Sequence, residues 1–253
     1  MIAYKTAESW ATVPHVAFSY EPNVARLRLN LAKINHAGAT HITFNTLLLN
    51  VIVDALKAAP KMNGGARVDI SLPWLLPSGD MVTMNLRDFG AKSVGQMQMY
   101  INDLRRRIAN TNINVPLYAV AVQNLLRELR RGRVIHVVKT LWATRFGRSR
   151  VRCPSKAERK AYRAIPNADK ILPADLDVGS ITVSNIGSLY KNLRGGVTLL
   201  DVIPPQRVAL GIGAIQPNGT LPICIAFDHR VLNFNDIVPF IKRFDERADA
   251  VVN

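Results

Sequence analysis

The sequence predicts an α/β fold built on a mixed β-sheet. Apolar runs of period two and of period 3.6 are both present, so strands and helices share the chain. They follow one another without the regular strand–helix–strand rhythm of a fully parallel sheet. The chain has 253 residues, 48% apolar and 20% charged, which suffices to bury a substantial core.

His15, Ala17 and Ser19 alternate with Val16, Phe18 and Tyr20, so residues 14–20 read as a strand. Residues 22–36 read as a helix, with Pro22 at its start, a Val24–Leu27–Leu31–Ile34 stripe and Gly38 after it. Thr43 to Ala59 is a helix apolar nearly all round, hence buried, and Pro60 closes it. Val68–Leu76 and Met81–Leu86 flank Pro77-Ser78-Gly79-Asp80 and read as a hairpin. Ser93 is the expected N-cap of a helix reaching Asn110, with Val94, Met97, Ile101, Leu104 and Ile108 on one face. Pro116 opens a helical region to about Arg131, and Val134 to Phe146 is another amphipathic piece. Residues 147–175 read as polar, basic and turn-prone. Ser180–Asn185, Val197–Val202, Arg207–Ile215 and Pro222–Asp228 are the remaining strand candidates, and Ile237–Val252 is the closing helix. Gly211 and Gly213 fall inside a strand pattern, where glycine marks a close backbone approach.

Composition excludes several classes. No run of 18 uncharged apolar residues suggests a membrane span, and MIAYKTAESW lacks the basic-then-apolar order of a secretory signal. Cys153 and Cys224 make neither a disulfide framework nor a four-ligand zinc site. The five histidines, His15, His36, His41, His136 and His229, show no metal-ligand spacing, so no metal is expected. A cytoplasmic protein is the expectation, with peripheral membrane attachment as a variant of it.

The net charge of +15 is concentrated. Between Asp103 and Arg163 there are 16 basic residues against three acidic ones, while the rest of the chain is nearly neutral. This points to one local anionic partner or to one solvated basic face.

The most informative segment is Phe227-Asp228-His229-Arg230-Val231-Leu232-Asn233. A histidine sits where an apolar strand ends, between opposite charges. An imidazole titrates near ~6.5, so such a group is poised as a general base at neutral pH. The competing reading is a surface turn in which Asp228 and Arg230 pair and His229 is incidental.

This segment resembles the Asp-His-Arg-x-x-Asp-Gly signature of the 2-oxo acid dehydrogenase acyltransferase (E2) catalytic domain, which shares its fold with chloramphenicol acetyltransferase. Other pieces fall in the same order: PHVAFSYEPNVARL, the apolar helix from Thr43, VDISLPWLLPSGDMVTMNLRD, ITVSNIGSLY and VIPPQRVALGIGAI. The resemblance covers roughly residues 12–115 and 176–253. It implies a two-layer sandwich, a mixed sheet flanked by helices. It implies coenzyme A or acyl-coenzyme A as substrate, or a lipoyl group carried on a separate protein. His229 would be the general base toward a thiol, and Ser184 would donate a hydrogen bond to the tetrahedral oxyanion. Taken without the resemblance, Ser184 is a strand-end hydroxyl bonded to backbone.

The sequence departs from the pattern at three places. Asn233 stands at the usual Asp position, as it does in some family members. Asn can orient a neighbour but adds no negative charge behind an imidazolium. Phe234 stands where the family has glycine, and it supplies neither positive φ nor room for a ligand. Residues 115–175 form a basic helical insertion where the family has a short connection. Solvated extra helices, an interfacial helix on an anionic membrane, and a dock for an acidic partner or coenzyme A phosphates compete to explain it. Nucleic acid is not expected, for no reader motif accompanies the charge.

The expectation is one catalytic domain over residues 1–253, without lipoyl or peripheral-subunit-binding domains. The rival to an acyltransferase is a catalytically silent E2-like structural core or binding subunit, a reading that Asn233 and Phe234 favour. In the family the histidine and serine meet across a subunit boundary of a trimer, so a homotrimer is implied. E2 shells grow through an apolar C-terminal tail, whereas Arg243 to Asn253 is mostly charged or small, so a discrete trimer is expected.

Overall fold

Among the described residues, six strands form one mixed sheet. A computed structural model of the chain describes residues 2–38, 40–130, 132, 152–190, 192 and 195–250. The elements are α1 (Ile2–Thr12), β1 (His15–Tyr20), α2 (Ala25–Ala37), α3 (Phe44–Ala58), α4 (Pro60–Asn63), β2 (Ile70–Leu75), β3 (Met81–Leu86), α5 (Val94–Ala109), α6 (Asn114–Arg130), α7 (Lys156–Ala164), β4 (Ile181–Asn185), β5 (Val208–Ile212), β6 (Ile223–Asp228) and α8 (Phe234–Asp249). They divide into a larger unit, residues 8–100 and 178–253, and a smaller one, residues 1–7 and 101–177.

The larger unit holds the sheet, in the order β1-β6-β5-β4-β2-β3. β4 runs parallel to β2 and β5, and the other pairings are antiparallel. The pleat gives the sheet two unlike faces. One carries Ile181, Val183, Val208, Leu210, Ile212, Ile223, Ile225 and Phe227, all buried. The other carries small residues: Ser184, Ala209, Gly211, Cys224 and Ala226. Val13, Val197, Leu200 and Val202 pack on that side. A Cβ on Gly211 would come within 2.7 Å of the Val197 side chain, so the strand glycine does mark a close approach.

Helix α3 is buried from Thr46 to Leu56 except at Asn50 and Asp54, and it packs along α8. Thr43 caps it by accepting from the Thr46 N–H. The far end of α8 is tied to its own chain, where Asn30 Nδ2 donates to Ala250 O at 2.7 Å. The β2–β3 hairpin and the Ser93 cap are as the sequence predicts, the latter with Gln96 reaching back to the Ser93 N–H at 2.9 Å.

In the smaller unit, α6 carries Pro116 in its first turn. The turn-prone reading of 147–175 is corrected there by α7. Ser155 accepts from the Glu158 N–H, and Glu158 accepts from the Ser155 N–H at 2.7 Å, a complete capping box. Lys170 then closes α7 by donating to Tyr162 O and Ile165 O, while a Lys170 ammonium–Tyr162 ring contact covers the ring.

Three other expectations need adjustment. The helix after Pro22 starts only at Ala25, for Asn23 is drawn into a bridge with Thr220. Val197–Val202 forms no strand and lies instead across the small-residue face. Helix α1 had no counterpart in the sequence reading. The amphipathic piece at 134–146 lies outside the described residues. No helix among the described residues is long and apolar enough to cross a membrane.

Candidate active site

His229 is the first residue beyond β6, in the larger unit. Its backbone N–H donates to Pro14 O at 3.1 Å, and Asp228 N–H donates to Arg207 O at 3.0 Å. The strand end is therefore fixed on both sides. Val231 N–H and Leu232 N–H both reach Asp228 O, closing a tight turn. The imidazole Nδ1 lies 3.0 Å from Leu232 O. A carbonyl oxygen only accepts, so Nδ1 is the donor of this bond, and Nε2 has no hydrogen-bond partner among the described residues. The ring is exposed and meets Phe227 edge-on at 5.9 Å.

Asp228 is buried and grips Arg230, with Arg230 Nε 2.9 Å from Oδ1 and Nη2 2.6 Å from Oδ2. The Arg230 guanidinium holds the Asp228 carboxyl below its ordinary range. Arg230 Nη1 also donates to Thr12 O at 2.7 Å, clamping the turn to the end of α1. The Asp228–Arg230 pairing in the plainer sequence reading is thus real. The two partners flank His229 in the chain.

Ser184 is half-buried on β4, and its hydroxyl has no hydrogen-bond partner among the described residues. The backbone-bonded strand-end hydroxyl of the plainer reading is not what is found. Beyond Ser184, Asn185 Nδ2 donates to Asn45 Oδ1 at 2.9 Å, and Asn185 Oδ1 accepts from Ser188 N–H. A Cβ on Gly187 would meet Gly213 O, a backbone atom, at 2.2 Å, so only glycine fits that turn.

The register places the two residues far apart. Ser184 is level with Gly211 on β5, which is level with Cys224 on β6. His229 follows Cys224 by five residues at the other end of β6. With the usual rise and strand spacing they stand about 17 Å apart along the sheet and about 10 Å across it.

No hydrogen bond joins Asn233 to the imidazole among the described residues. It is exposed at the N-terminus of α8, and its N–H donates to Asp236 Oδ2 at 3.0 Å. Phe234 opens α8 with helical geometry; its ring packs edge-on against Phe18 at 5.0 Å. Among the described residues Asp88 is the one non-glycine with positive φ, so this position makes no demand that only glycine meets.

Sequence reasoning missed a cluster beside the turn. Val202 N–H donates to His15 Nε2 at 3.1 Å, Ser9 Oγ donates to Val202 O at 2.6 Å, and Trp10 stacks on His15 at 4.9 Å. His15 is therefore a structural acceptor at this nitrogen. Its alternation in β1 signalled a strand position but not this contact, which depends on the unforeseen α1. A separate cleft of about 360 Å3 opens in the smaller unit between α6 (Val120, Gln123, Arg127) and Leu172–Asp177. It contains none of the residues singled out in the sequence. Among the described residues no cluster of His, Cys, Asp or Glu is arranged to hold a metal.

A family model for the catalytic domain of 2-oxoacid dehydrogenase acyltransferases matches residues 1–116, a stretch that ends before Ser184 and His229. Three solved structures show the same fold over 98% of this chain. One is a probable dihydrolipoamide acetyltransferase from Listeria monocytogenes 4b F2365, 15% identical, 89% of its chain covered, TM-score 0.63. Another is the cubic core of the pyruvate dehydrogenase multienzyme complex, 20% identical, 86% covered, TM-score 0.58. The third is the dihydrolipoamide acetyltransferase of Azotobacter vinelandii, 19% identical, 86% covered, TM-score 0.60. It was determined to examine the catalytic roles of a serine, a histidine and an asparagine four residues beyond that histidine. No curated protein sequence matches the chain. The mixed sheet and flanking helices are those of the acyltransferase catalytic-domain fold.

Proposed function

We propose that this chain transfers an acyl group between thiols, those of coenzyme A and of a dihydrolipoyl group carried on a separate protein. The observation that carries the reading is the hydrogen bond from His229 Nδ1 to Leu232 O, which leaves Nε2 as an exposed base. The thiol gives its proton to Nε2. The thiolate attacks the thioester carbonyl, and the new C–S bond forms as the carbonyl π electrons move to oxygen. Ser184 Oγ–H donates to that oxyanion, an interaction worth about 3 kcal/mol to the transition state. Collapse breaks the original C–S bond, and the leaving thiolate recovers the proton from the imidazolium. No acyl-enzyme forms.

Both groups must lie within about 3 Å of one reacting centre. The register separation within one chain supports a site in which the serine comes from a second copy. A head-to-tail contact of this kind either closes into a ring or runs on as a filament, and the resemblance implies the closed form, a homotrimer with three shared sites. Asn233 fits the pattern of the Azotobacter relative, whose asparagine also stands four residues past its histidine. Its exposed side chain is free to face the neighbouring copy rather than its own His229.

The rival reading, a silent structural core, loses one support because Phe234 fits its helical position without strain. Turnover of acyl-coenzyme A with dihydrolipoamide, measured alongside the mass in solution, separates the two. An assembled trimer without turnover establishes the silent core. Turnover abolished by His229→Ala in an intact trimer establishes the enzyme.

A further inference from the structure

Part of the charge excess of the smaller unit lies on α7, while the cations from Arg131 to Arg150 lie outside the described residues. Asp103 pairs with Arg106 and Arg107, Asp169 with Arg106, Asp175 with Arg107, and Glu158 with Arg152. These contacts engage four of the unit's acidic groups with three arginines. Along α7, Lys156, Lys160 and Arg163 are exposed and have no hydrogen-bonding or ion-pair partner among the described residues. They stand at i, i+4 and i+7, so they form one row about 10 Å long on a single helix face. Arg159 flanks the row, half-buried.

Beside the row run Ala157, Ala161 and Ala164, also exposed. Small side chains let another backbone approach closely, and the adjacent cations then meet the partner's charges. The inner side of α7 is occupied, with Glu158 bonded to Asn112 and Tyr162 Oη donating to Ile171 O.

We propose that this face of α7 docks an acidic amphipathic helix of a protein partner. Its carboxylates would pair with Lys156, Lys160 and Arg163 while its small apolar residues lie on the alanines. Charge complementarity selects the occupant. An interfacial helix needs large apolar side chains to bury in lipid, and the exposed face of α7 offers only alanine. A small anion needs convergent donors, whereas a row on a convex helix presents successive charges to a matching row. Single strands of nucleic acid call for stacking surfaces, and the Tyr162 ring is already covered by Lys170. This inference does not depend on the acyltransferase reading.

The test uses the full chain at near-physiological salt and four probes. They are a synthetic helical peptide with glutamates at i, i+4 and i+7 beside alanines, its scrambled isomer, an oligo-dT strand and phosphatidylserine vesicles. The patterned peptide is expected to bind at least ~10-fold tighter than the scrambled one. The triple variant Lys156→Glu, Lys160→Glu, Arg163→Glu should weaken it by ~10-fold or more, whereas Arg28→Glu with Lys57→Glu on the larger unit should not. The corresponding triple glutamine variant keeps the test valid if charge reversal disturbs α7. Equal affinity for patterned and scrambled peptides overturns the docking geometry. Tighter binding of oligo-dT or vesicles, lost in the same triple variant, overturns the protein partner and reassigns the row.

Discussion

Ser184 and His229 occupy opposite ends of one β-sheet, two strands apart. If both serve one reaction, each site draws on two copies of the chain. Mixing two crippled proteins then restores activity. A trimer assembled from His229→Ala and Ser184→Ala chains contains some boundaries where an intact histidine faces an intact serine. Random co-assembly at equal amounts makes about one quarter of the sites whole. Co-refolded mixtures should reach about a quarter of wild-type turnover; activity no greater than the mean of the separate variants would refute the shared site.

The single variants should differ in kind. His229→Ala removes the proposed base and should abolish turnover while leaving the sheet intact, since the residue is exposed. Ser184→Ala should lower kcat by about 10²-fold with little change in KM, as expected for a group acting mainly in the transition state. A rise in KM with kcat preserved would assign Ser184 to substrate binding instead.

The contrast between what the sequence revealed and what it hid follows from distance along the chain. The burial of α3, the β2–β3 hairpin and the strand ending at His229 rest on local periodicity and turn residues, so they could be read directly. The Ser155–Glu158 box was equally local, yet the surrounding basic and proline residues masked it. The clamp from Arg230 to Thr12 and the contact from Val202 to His15 join segments roughly two hundred residues apart, beyond the reach of any spacing rule. The roles proposed for Ser184 and His229 rest on the resemblance, not on spacing. Their separation needed the strand order.

Phe234 gives a test of whether the missing glycine matters. Its backbone is helical, and its ring packs on Phe18. Phe234→Gly should therefore cost about 1–2 kcal/mol, from lost aromatic packing and poorer helix propensity. It should not raise kcat. A large gain in turnover would show that the phenylalanine obstructs the acyl pocket.

Gly187 should tolerate nothing larger. An added Cβ would lie 2.2 Å from Gly213 O, and a backbone carbonyl cannot move aside as a flexible side chain does. Gly187→Ala is expected to destabilise the protein by about 1–3 kcal/mol. Because Gly187 lies in the turn that ends β4, three residues after Ser184, kcat should fall with stability. Gly65→Ala, where an added Cβ meets nothing within 4 Å, is the matched control and should change neither.

The Asp228–Arg230 pair predicts an acid-sensitive turn around His229. Asp228 is depressed in the folded protein, chiefly by its hydrogen bonds from Arg230. A carboxyl whose folded pKa lies below its unfolded value stabilises the fold above the unfolded pKa, about 3.9. That contribution is lost as pH falls through the lower, folded value. Stability should therefore hold near neutrality and decline below about pH 4, other paired carboxylates adding to the slope. Asp228→Asn should cost about 1–3 kcal/mol at neutral pH, because Arg230 loses its charged partner and the turn its anchor. It should also flatten part of the acid slope in denaturant titrations. An unchanged slope in the variant would mean that the carboxylate does not hold the turn, and Arg230 would then have to be anchored through Thr12 O alone.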